Sequence, residues 1–472
     1  MQKSLRKTFR WQRPGLSMKK HPTSPARHAA GRMTDHSPAP PSPRSKPRWV
    51  LLDRFVHRSR RRRGVYAGDP MTSATSDDCT GRPVRVSLRS AALSRLYLHW
   101  TGRPPLTKLM DPTAVAAHRH AVLFRLTVPV EDPEWWHAYC CFPVDYFVYS
   151  ASPAATSPPS LTRLPPCFEG GFVNPELDKP FRPYRRQQQR CMLDQDMAIL
   201  CHGDEDAGEF TVADLTCRSP REVELSACCT TGLLVHKLPA PPDMKIDPSL
   251  WTTDAIFPLD GCLCWVDYYQ GLLLVDVLHA NNDSDNTDHQ QLRYIPLPKQ
   301  ALRSRRYYID ADSPDPFRHV SVTDAGIVKL VCIFTKHSSL SNFTIITWSF
   351  DIRKGTWIQD CGNTVEDAEF FGMLDAARNR MLPRVRPSFP VVSLADPDVI
   401  CFMLEEEVLE DQSDYWMIEV NMRNKKLQSS APYMREEDEE GSYPGKPRRN
   451  FYGHYFVPSK FLSYLSPDQC TR

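Results

Sequence analysis

The stretch Asp260–Leu278, DGCLCWVDYYQGLLLVDVL, decides how the fold is read. Two apolar runs, Cys262–Val266 and Leu272–Val275, flank a break from Asp267 to Gly271. Each run is four or five residues long and apolar at every position. That length, with Trp and Val among the residues, favours strands buried on both faces over a helix. A break that ends in Gly between two such runs predicts a β-hairpin with a longer loop. On a strand, Cys262 and Cys264 point to the same face. Asp267 and Asp276 sit at the ends of this hairpin, where carboxylates cap turns through backbone N–H groups.

Outward from the hairpin the chain reads as strand after strand. Upstream, the runs are Trp49–Val56, Val84–Leu88, Leu96–Trp100, Ala121–Val130, Asp145–Ser150, Met197–Cys201, Phe210–Leu215, Val223–Ala227 and Leu233–Leu238. Residues 152–166 are rich in Pro and Ser and read as a loop. Downstream, Leu292–Pro298 ends in Pro296 and Pro298, as an edge strand leaving a sheet would. His319–Asp324, Ile327–Phe334 and Ile345–Trp357 follow, then a group from Val391 to Leu427, and Phe451–Val457 last. The short stretch Ala368–Arg380 is the best helix candidate. Strand groups recur at about 195–238, 255–298, 319–360 and 391–428. Multi-strand units at such spacing point to an all-β, β-propeller-like closed array of antiparallel sheets, each burying one open apolar face by radial packing against its neighbours, with an unusual sandwich as the alternative because the period is irregular. The expected organisation is an arm over 1–48, a β-rich part over 49–190, and a second β-rich part over 191–472.

Charge is strongly segregated. Residues 1–63 hold 18 Lys and Arg against two acids, a net of +16, whereas the rest holds 41 bases against 54 acids, a net of −13. The acidic body is not expected to bind nucleic acid through bulk charge. Residues 1–48 have disordered composition. A solvated basic tail, an organelle transit peptide and an unused upstream extension all fit them. Arg58, Arg60, Arg61, Arg62 and Arg63 form a dense basic cluster, read as a charged loop or as a localisation or polyanion-binding patch.

Few features point to chemistry. The sequence has no GxSxG elbow, HExxH helix, P-loop or GxGxxG turn. The 15 cysteines include no CxxC knuckle, so no zinc site is expected and they read as reduced, buried thiols of a cytoplasmic or nuclear protein. No apolar run approaches the roughly 18 residues of a membrane span. His118 and His120 flank Arg119 and would face one way on a strand. Asp283, Asp285 and Asp288 lack the central Gly and terminal Glu of a calcium loop. Arg303–Tyr308, RSRRYY, interleaves basic and aromatic residues but reads as an exposed loop. Trp265, Trp348, Trp357 and Trp416 read as packing residues. No catalytic residue, cofactor or metal is assigned from these patterns.

Five segments taken in order carry a family resemblance: WVLLDR (Trp49–Arg54), DYFVYSA (Asp145–Ala151), PSLTRLPP (Pro159–Pro166), LCWVDYYQGLLLVDVL (Leu263–Leu278) and LRYIPLP (Leu292–Pro298). Together they resemble the plant proteins, expanded in grasses, that carry "domain of unknown function 1618". The resemblance places that domain at about 262–400 and implies a plant origin. It supplies no catalytic residues. It marks Trp265, Asp267, Gly271, Asp276, Arg293, Pro296 and Pro298 as family-motif positions of structural role. FTIITWSFDIRKGTW (Phe343–Trp357) is similar in style to an outer strand pair of F-box-associated and kelch-type propellers. The function expected is a non-enzymatic scaffold that binds a protein partner. An enzyme with a site in a central channel and a nuclear protein using its arm on nucleic acid are the alternatives.

Overall fold

The computed structural model describes residues 49–54, 56–58, 72–89, 93–100, 112–128, 143–151, 158–166, 192, 194–203, 208–217, 219, 221–229, 232–241, 244, 248–278, 292–302, 316–335, 342–377, 381–409, 412–433 and 456–465. The arm over 1–48, the side chain of Arg58, residues Arg60–Arg63, the Asp283–Asp288 loop and Arg303–Tyr308 lie outside them. Lys46–Arg472 form one compact unit. None of the described helices is long and apolar enough to cross a membrane.

The described strands form six sheets, arranged as the blades of a β-propeller. Blade 1 takes β1 (Val50–Asp53), β2 (His57–Arg58), β3 (Ala74–Asp77), β4 (Pro83–Arg89) and β5 (Leu93–Trp100). Blade 2 is β6 (Thr113–His118), β7 (Ala121–Thr127), β8 (Val144–Ser150) and β9 (Ser160–Arg163). Blade 3 is β10 (Met197–His202), β11 (Glu209–Thr216), β12 (Glu222–Cys229) and β13 (Gly232–Pro239). Blade 4 is β14 (Ala255–Leu259), β15 (Cys262–Asp267), β16 (Gly271–Val275) and β17 (Arg293–Pro296), followed by the one-turn α1 (Lys299–Leu302). Blade 5 is β18 (Arg318–Val322), β19 (Val328–Thr335), β20 (Phe343–Asp351), β21 (Thr356–Gln359) and the short β22 (Val365–Glu366), followed by α2 (Asp367–Ala376). Blade 6 is β23 (Ser388–Val392), β24 (Val399–Leu409), β25 (Gln412–Asn421) and β26 (Lys426–Pro432). The last strand, β27 (Phe456–Ser459), returns to blade 1 and pairs antiparallel with β1, Val50 opposite Ser459 and Asp53 opposite Phe456. The two ends of the body thus share one blade, which closes the ring and leaves the inner edge strands facing its centre.

The core follows from strand periodicity. Alternate residues of a strand face opposite sides of its sheet, so each blade feeds two seams. In β15, Cys264 and Val266 pack toward blade 5 while Leu263 and Trp265 pack toward blade 3. In β16, Leu272 and Leu274 go one way and Leu273 and Val275 the other. This explains why both runs are apolar throughout. Among the described residues the buried apolar side chains form six clusters, one at each seam from blades 1 and 2 round to blades 6 and 1. On α2, Phe370, Met373 and Leu374 form an i, i+3, i+4 stripe that seals the seam between blades 5 and 6.

Several expectations are refined. The hairpin loop is shorter than the five-residue break, because Asp267 pairs with Gly271 and only Tyr268, Tyr269 and Gln270 turn the chain. Residues 160–163 are not loop but β9, the outer strand of blade 2, with one buried side chain, Leu161, among polar ones. His118 and His120 do not share a strand: His118 ends β6, and His120 lies in the turn that Arg119 enters with φ 45°. β3 (ATSD) and β6 (TAVAAH) escaped the pattern because small and polar residues carry no hydrophobic period.

Candidate functional site

The innermost strands of the blades surround a central channel of about 320 Å³. Its lining mixes apolar residues, Val115, Ile199, Ile256, Val320 and Val457 among them, with polar ones. Polar groups gather toward its ends.

At one end, Arg54 follows β1 and its guanidinium donates to the carbonyls of Val115 (2.6 Å) and Ala114 (3.3 Å). Burial pulls its pKa down to about 10, and the charge of Asp194 works against that pull. Asp194 accepts the Thr113 hydroxyl at 2.8 Å and lies 3.1 Å from Arg125. Asp254, just before β14, accepts the Tyr268 N–H at 2.8 Å.

The inner strands β6, β14, β18 and β27 carry the opposite group of polar residues at their C-terminal ends. His118 Nδ1 accepts the Cys201 N–H at 2.8 Å. Burial, with Arg119, His120 and Lys460 nearby, holds the imidazole down at about 3, so it is neutral at physiological pH. Lys460 Nζ lies 2.6 Å from Asp324 Oδ1, a contact between blades 1 and 5. Asp260 is exposed on the β14–β15 turn, where φ is 48°. His319, on β18 and fully enclosed, is held neutral by burial at about 3.

Three of the four acids lining the channel are therefore engaged separately: Asp194 by Thr113 and Arg125, Asp254 by a backbone amide, Asp324 by Lys460. Hydrolytic or acid–base chemistry calls for groups that converge on one reacting atom, and these three hold partners on different blades. Among the described residues, no group of three or more His, Cys, Asp or Glu is placed to hold a metal ion.

The seven family-motif residues lie in and just after blade 4, and none lines the channel. Trp265 is completely buried and its Nε1–H donates to the Asp196 carbonyl of blade 3 at 2.9 Å. Asp267 ties the hairpin loop to the chain before the blade, accepting from Tyr269 N (2.8 Å), Thr252 N (3.0 Å) and Gln270 Nε2 (2.6 Å). A Cβ at Gly271 would come within 2.6 Å of both the Ile295 carbonyl oxygen and the Tyr294 ring. That close approach of β17 is what requires the glycine. Asp276 accepts Leu278 N at 3.0 Å, closing the turn after β16. Arg293 is exposed on β17 opposite Leu274. The Pro296 carbonyl accepts Trp357 Nε1–H at 3.0 Å, joining the outer rims of blades 4 and 5. The Pro298 carbonyl accepts Leu302 N at 3.1 Å and starts α1.

Sequence patterns missed Arg54, Asp194 and Lys460 of the channel, because each stands beside an ordinary strand and meets its partner only through ring closure. They also missed a polar cavity of about 300 Å³ between blades 5 and 6, around the buried Lys329. Its signal was visible as a lone Lys inside the apolar run of β19, VKLVCIFT.

The model of a family described as "Protein of unknown function (DUF1618)" matches residues 265–401. The chain carries the DUF1618 domain. The DUF1618 segment begins inside β15 and ends inside β24, cutting through blades 4 and 6. Its strands are thus completed by chain outside it, so the matched segment is an arc of the ring and not a separate folding unit. No curated protein matches the chain. Among solved structures the chain is similar to the WD40 domain of SCAP from fission yeast, at 11% identity over 78% of this chain and 77% of that one, with a TM-score of 0.30. Saccharomyces cerevisiae Sqt1 gives 10% identity over 75% and 69%, with a TM-score of 0.33. A polysaccharide lyase of family PL25, an ulvan lyase, gives 8% over 82% and 87%, at 0.31. At these scores the fold rests on the sheet topology of the chain itself.

Proposed function

We propose that the protein is a non-enzymatic interaction scaffold, whose propeller presents loops to a protein partner with a basic surface. The observation that carries this reading is the closed ring itself. Six seams bury the apolar faces of the blades against one another, which leaves rim and loops as the surfaces free to recognise something else. Residues 64–472 carry a net charge of −13, which selects for basic partners and speeds their encounter. The chain works in the cytoplasm or the nucleus, with Arg58 and Arg60–Arg63 as the residues to alter in testing nuclear entry.

The test is affinity capture with the full chain against a charge-matched control, followed by titration of the captured partner. A stoichiometric partner is expected whose affinity falls between about 50 and 300 mM salt, over which the Debye length shortens more than twofold. Binding that ignores salt would remove the electrostatic half of the proposal. Absence of any stoichiometric partner would remove the scaffold.

A further inference from the structure

The cavity of about 300 Å³ between blades 5 and 6 is lined mostly by polar groups, with Ile327 and Pro397 as its apolar members. Blade 5 contributes Lys329 of β19 and Ser349 of β20, which stand opposite each other in the sheet. Asp360 and Asn363 come from the turn after β21, and Asp398 and Arg423 flank the β24–β25 hairpin of blade 6. The charges balance. The Lys329 ammonium lies 3.4 Å from Asp360 and 3.7 Å from Asp398, and Arg423 Nε lies 2.9 Å from Asp398. A lone cation or anion entering here would meet repulsion as well as attraction. An apolar molecule would strip water from these groups and return no bond. Hydrogen-bonding capacity, in contrast, is left over on both sides. A carboxylate accepts, and an ammonium or guanidinium donates, more hydrogen bonds than these contacts use. Asn363 is 4% exposed and spends its Nδ2–H on Asp398 at 2.9 Å, and its Oδ1 has no donor among the described residues. A buried polar group without a partner asks for one. Acceptor and donor thus sit side by side twice, as Asp398 with Arg423 and as Asp360 with Lys329. A hydroxyl donates and accepts at one atom, so it suits such a pair better than a group that does only one of the two. Neighbouring hydroxyls on one ring suit both pairs.

We propose that this cavity binds a neutral polyhydroxyl ring compound, a cyclitol or a monosaccharide, whose vicinal hydroxyls donate to Asp360 and Asp398 and accept from Lys329 and Arg423. Its volume stands at the lower end of the range for small-molecule sites, which suits a single ring. The ion pairs stay in place when the ligand binds, so Lys329 keeps its structural part in the seam. The site goes beyond the scaffold reading and does not depend on it.

The experiment offers the full chain one ring with increasing hydroxylation: cyclohexanol, cis-1,2-cyclohexanediol and myo-inositol, with methyl β-D-glucopyranoside beside them, measured by calorimetry and saturation-transfer NMR. Affinity is expected to rise with hydroxylation. Myo-inositol or the glucoside should bind one site at least about tenfold tighter than cyclohexanol, the scale of one good hydrogen bond to a charged group. Whichever of the two binds tighter marks the natural ligand as a cyclitol or a sugar. Cyclohexanecarboxylate and cyclohexylammonium should bind no better than cyclohexanol. The Arg423 side chain is 71% exposed, so Arg423→Ala should keep the fold, which circular dichroism checks. It should weaken the tighter polyol at least about fivefold and leave cyclohexanol unchanged. Arg423→Lys returns a donor to the position and should recover part of the loss. Four results would overturn the proposal: neither polyol binding at about 50 mM, affinity that does not rise with hydroxylation, tighter binding of a charged probe than of either polyol, or an Arg423→Ala variant indistinguishable from the parent.

Discussion

The seam between blades 5 and 6 and the seam between blades 3 and 4 both bury carboxylates, and they treat them in opposite ways. At the first, Lys329 on β19 is 3% exposed, with Nζ 3.4 Å from Asp360 and 3.7 Å from Asp398. Thr347 and Ser349 donate to Asp360, each at 2.9 Å, and Asn363 donates to Asp398 at 2.9 Å. Arg423 approaches Asp398 from outside, at 2.9 Å. At the second seam, the described groups that act on the Asp196 carboxyl are the Thr253 hydroxyl and another acid, Asp214, rather than a cation. Burial, then the charge of Asp214, pushes the Asp196 carboxyl up to about 7. Burial, then Asp196, Asp267 and Asp214, pushes the Cys217 thiol up to about 12. A buried acid can be kept ionised by supplying a cation or kept neutral by withholding one. The first solution depends on one side chain. The second depends on pH.

The largest effect expected from this contrast is at Lys329. Lys329→Met keeps the length and apolar stem of the side chain but leaves Asp360 and Asp398 facing each other without their shared ammonium. Removing one partner of a buried pair typically costs about 3–5 kcal/mol. The lower part of that range applies here, because the side chains of Asp360 and Asp398 are 20% and 12% exposed. Urea unfolding at pH 7 measures it. A loss below about 1 kcal/mol would mean that the hydroxyl and amide donors suffice and the lysine is incidental.

How much of this could be read in advance differs around the ring. Blades 3 to 6 were legible because their middle strands are apolar on both faces and their turns are marked, as at Asp351–Gly355 and Asn424–Lys426. Blades 1 and 2 were only partly legible. β1 pairs in parallel with β5 and antiparallel with β27, and neither partner is a hairpin neighbour. No local pattern encodes such pairing. The inner strand β6 is TAVAAH, whose small residues hide the period. The capping roles of Asp267 and Asp276 could be foreseen because turn chemistry is local. The channel and the Lys329 cluster could not, since Lys329, Asp360 and Asp398 sit on three different turns or strands of two blades. A lone lysine in an apolar strand announces that partners exist without naming them.

The seam between blades 3 and 4 should show its contrast as a pH dependence. The folded-state pKa of Asp196, about 7, stands above its ordinary value of 3.8. The folded protein therefore holds a proton that the unfolded chain has released, and stability falls as pH rises from about 4 to 7. Asp196→Asn imitates the neutral form. It should stabilise the protein at pH 8 by on the order of 1–2 kcal/mol, a full shift being discounted because the carboxyl is only partly enclosed. The gain should shrink toward zero by about pH 4. Thermal unfolding at a series of pH values reads this directly. A stabilisation that is constant with pH would mean that packing of the amide, not charge, is responsible.

The smallest effect expected returns to the first seam and sharpens its lesson. Arg423 lies nearer to Asp398 than Lys329 does, 2.9 Å against 3.7 Å. Distance alone would rank it first. Its side chain is 71% exposed, however, against 4% for Lys329, so water and salt screen the arginine pair while the lysine pair is shielded. Arg423→Ala should therefore cost about 0.5 kcal/mol or less, and adding about 0.5 M salt should erase that difference while leaving the Lys329→Met deficit in place. If the two variants proved equally damaging, the seam would behave as one charge network in which burial does not set the ranking. A double variant would then show coupling well above additivity.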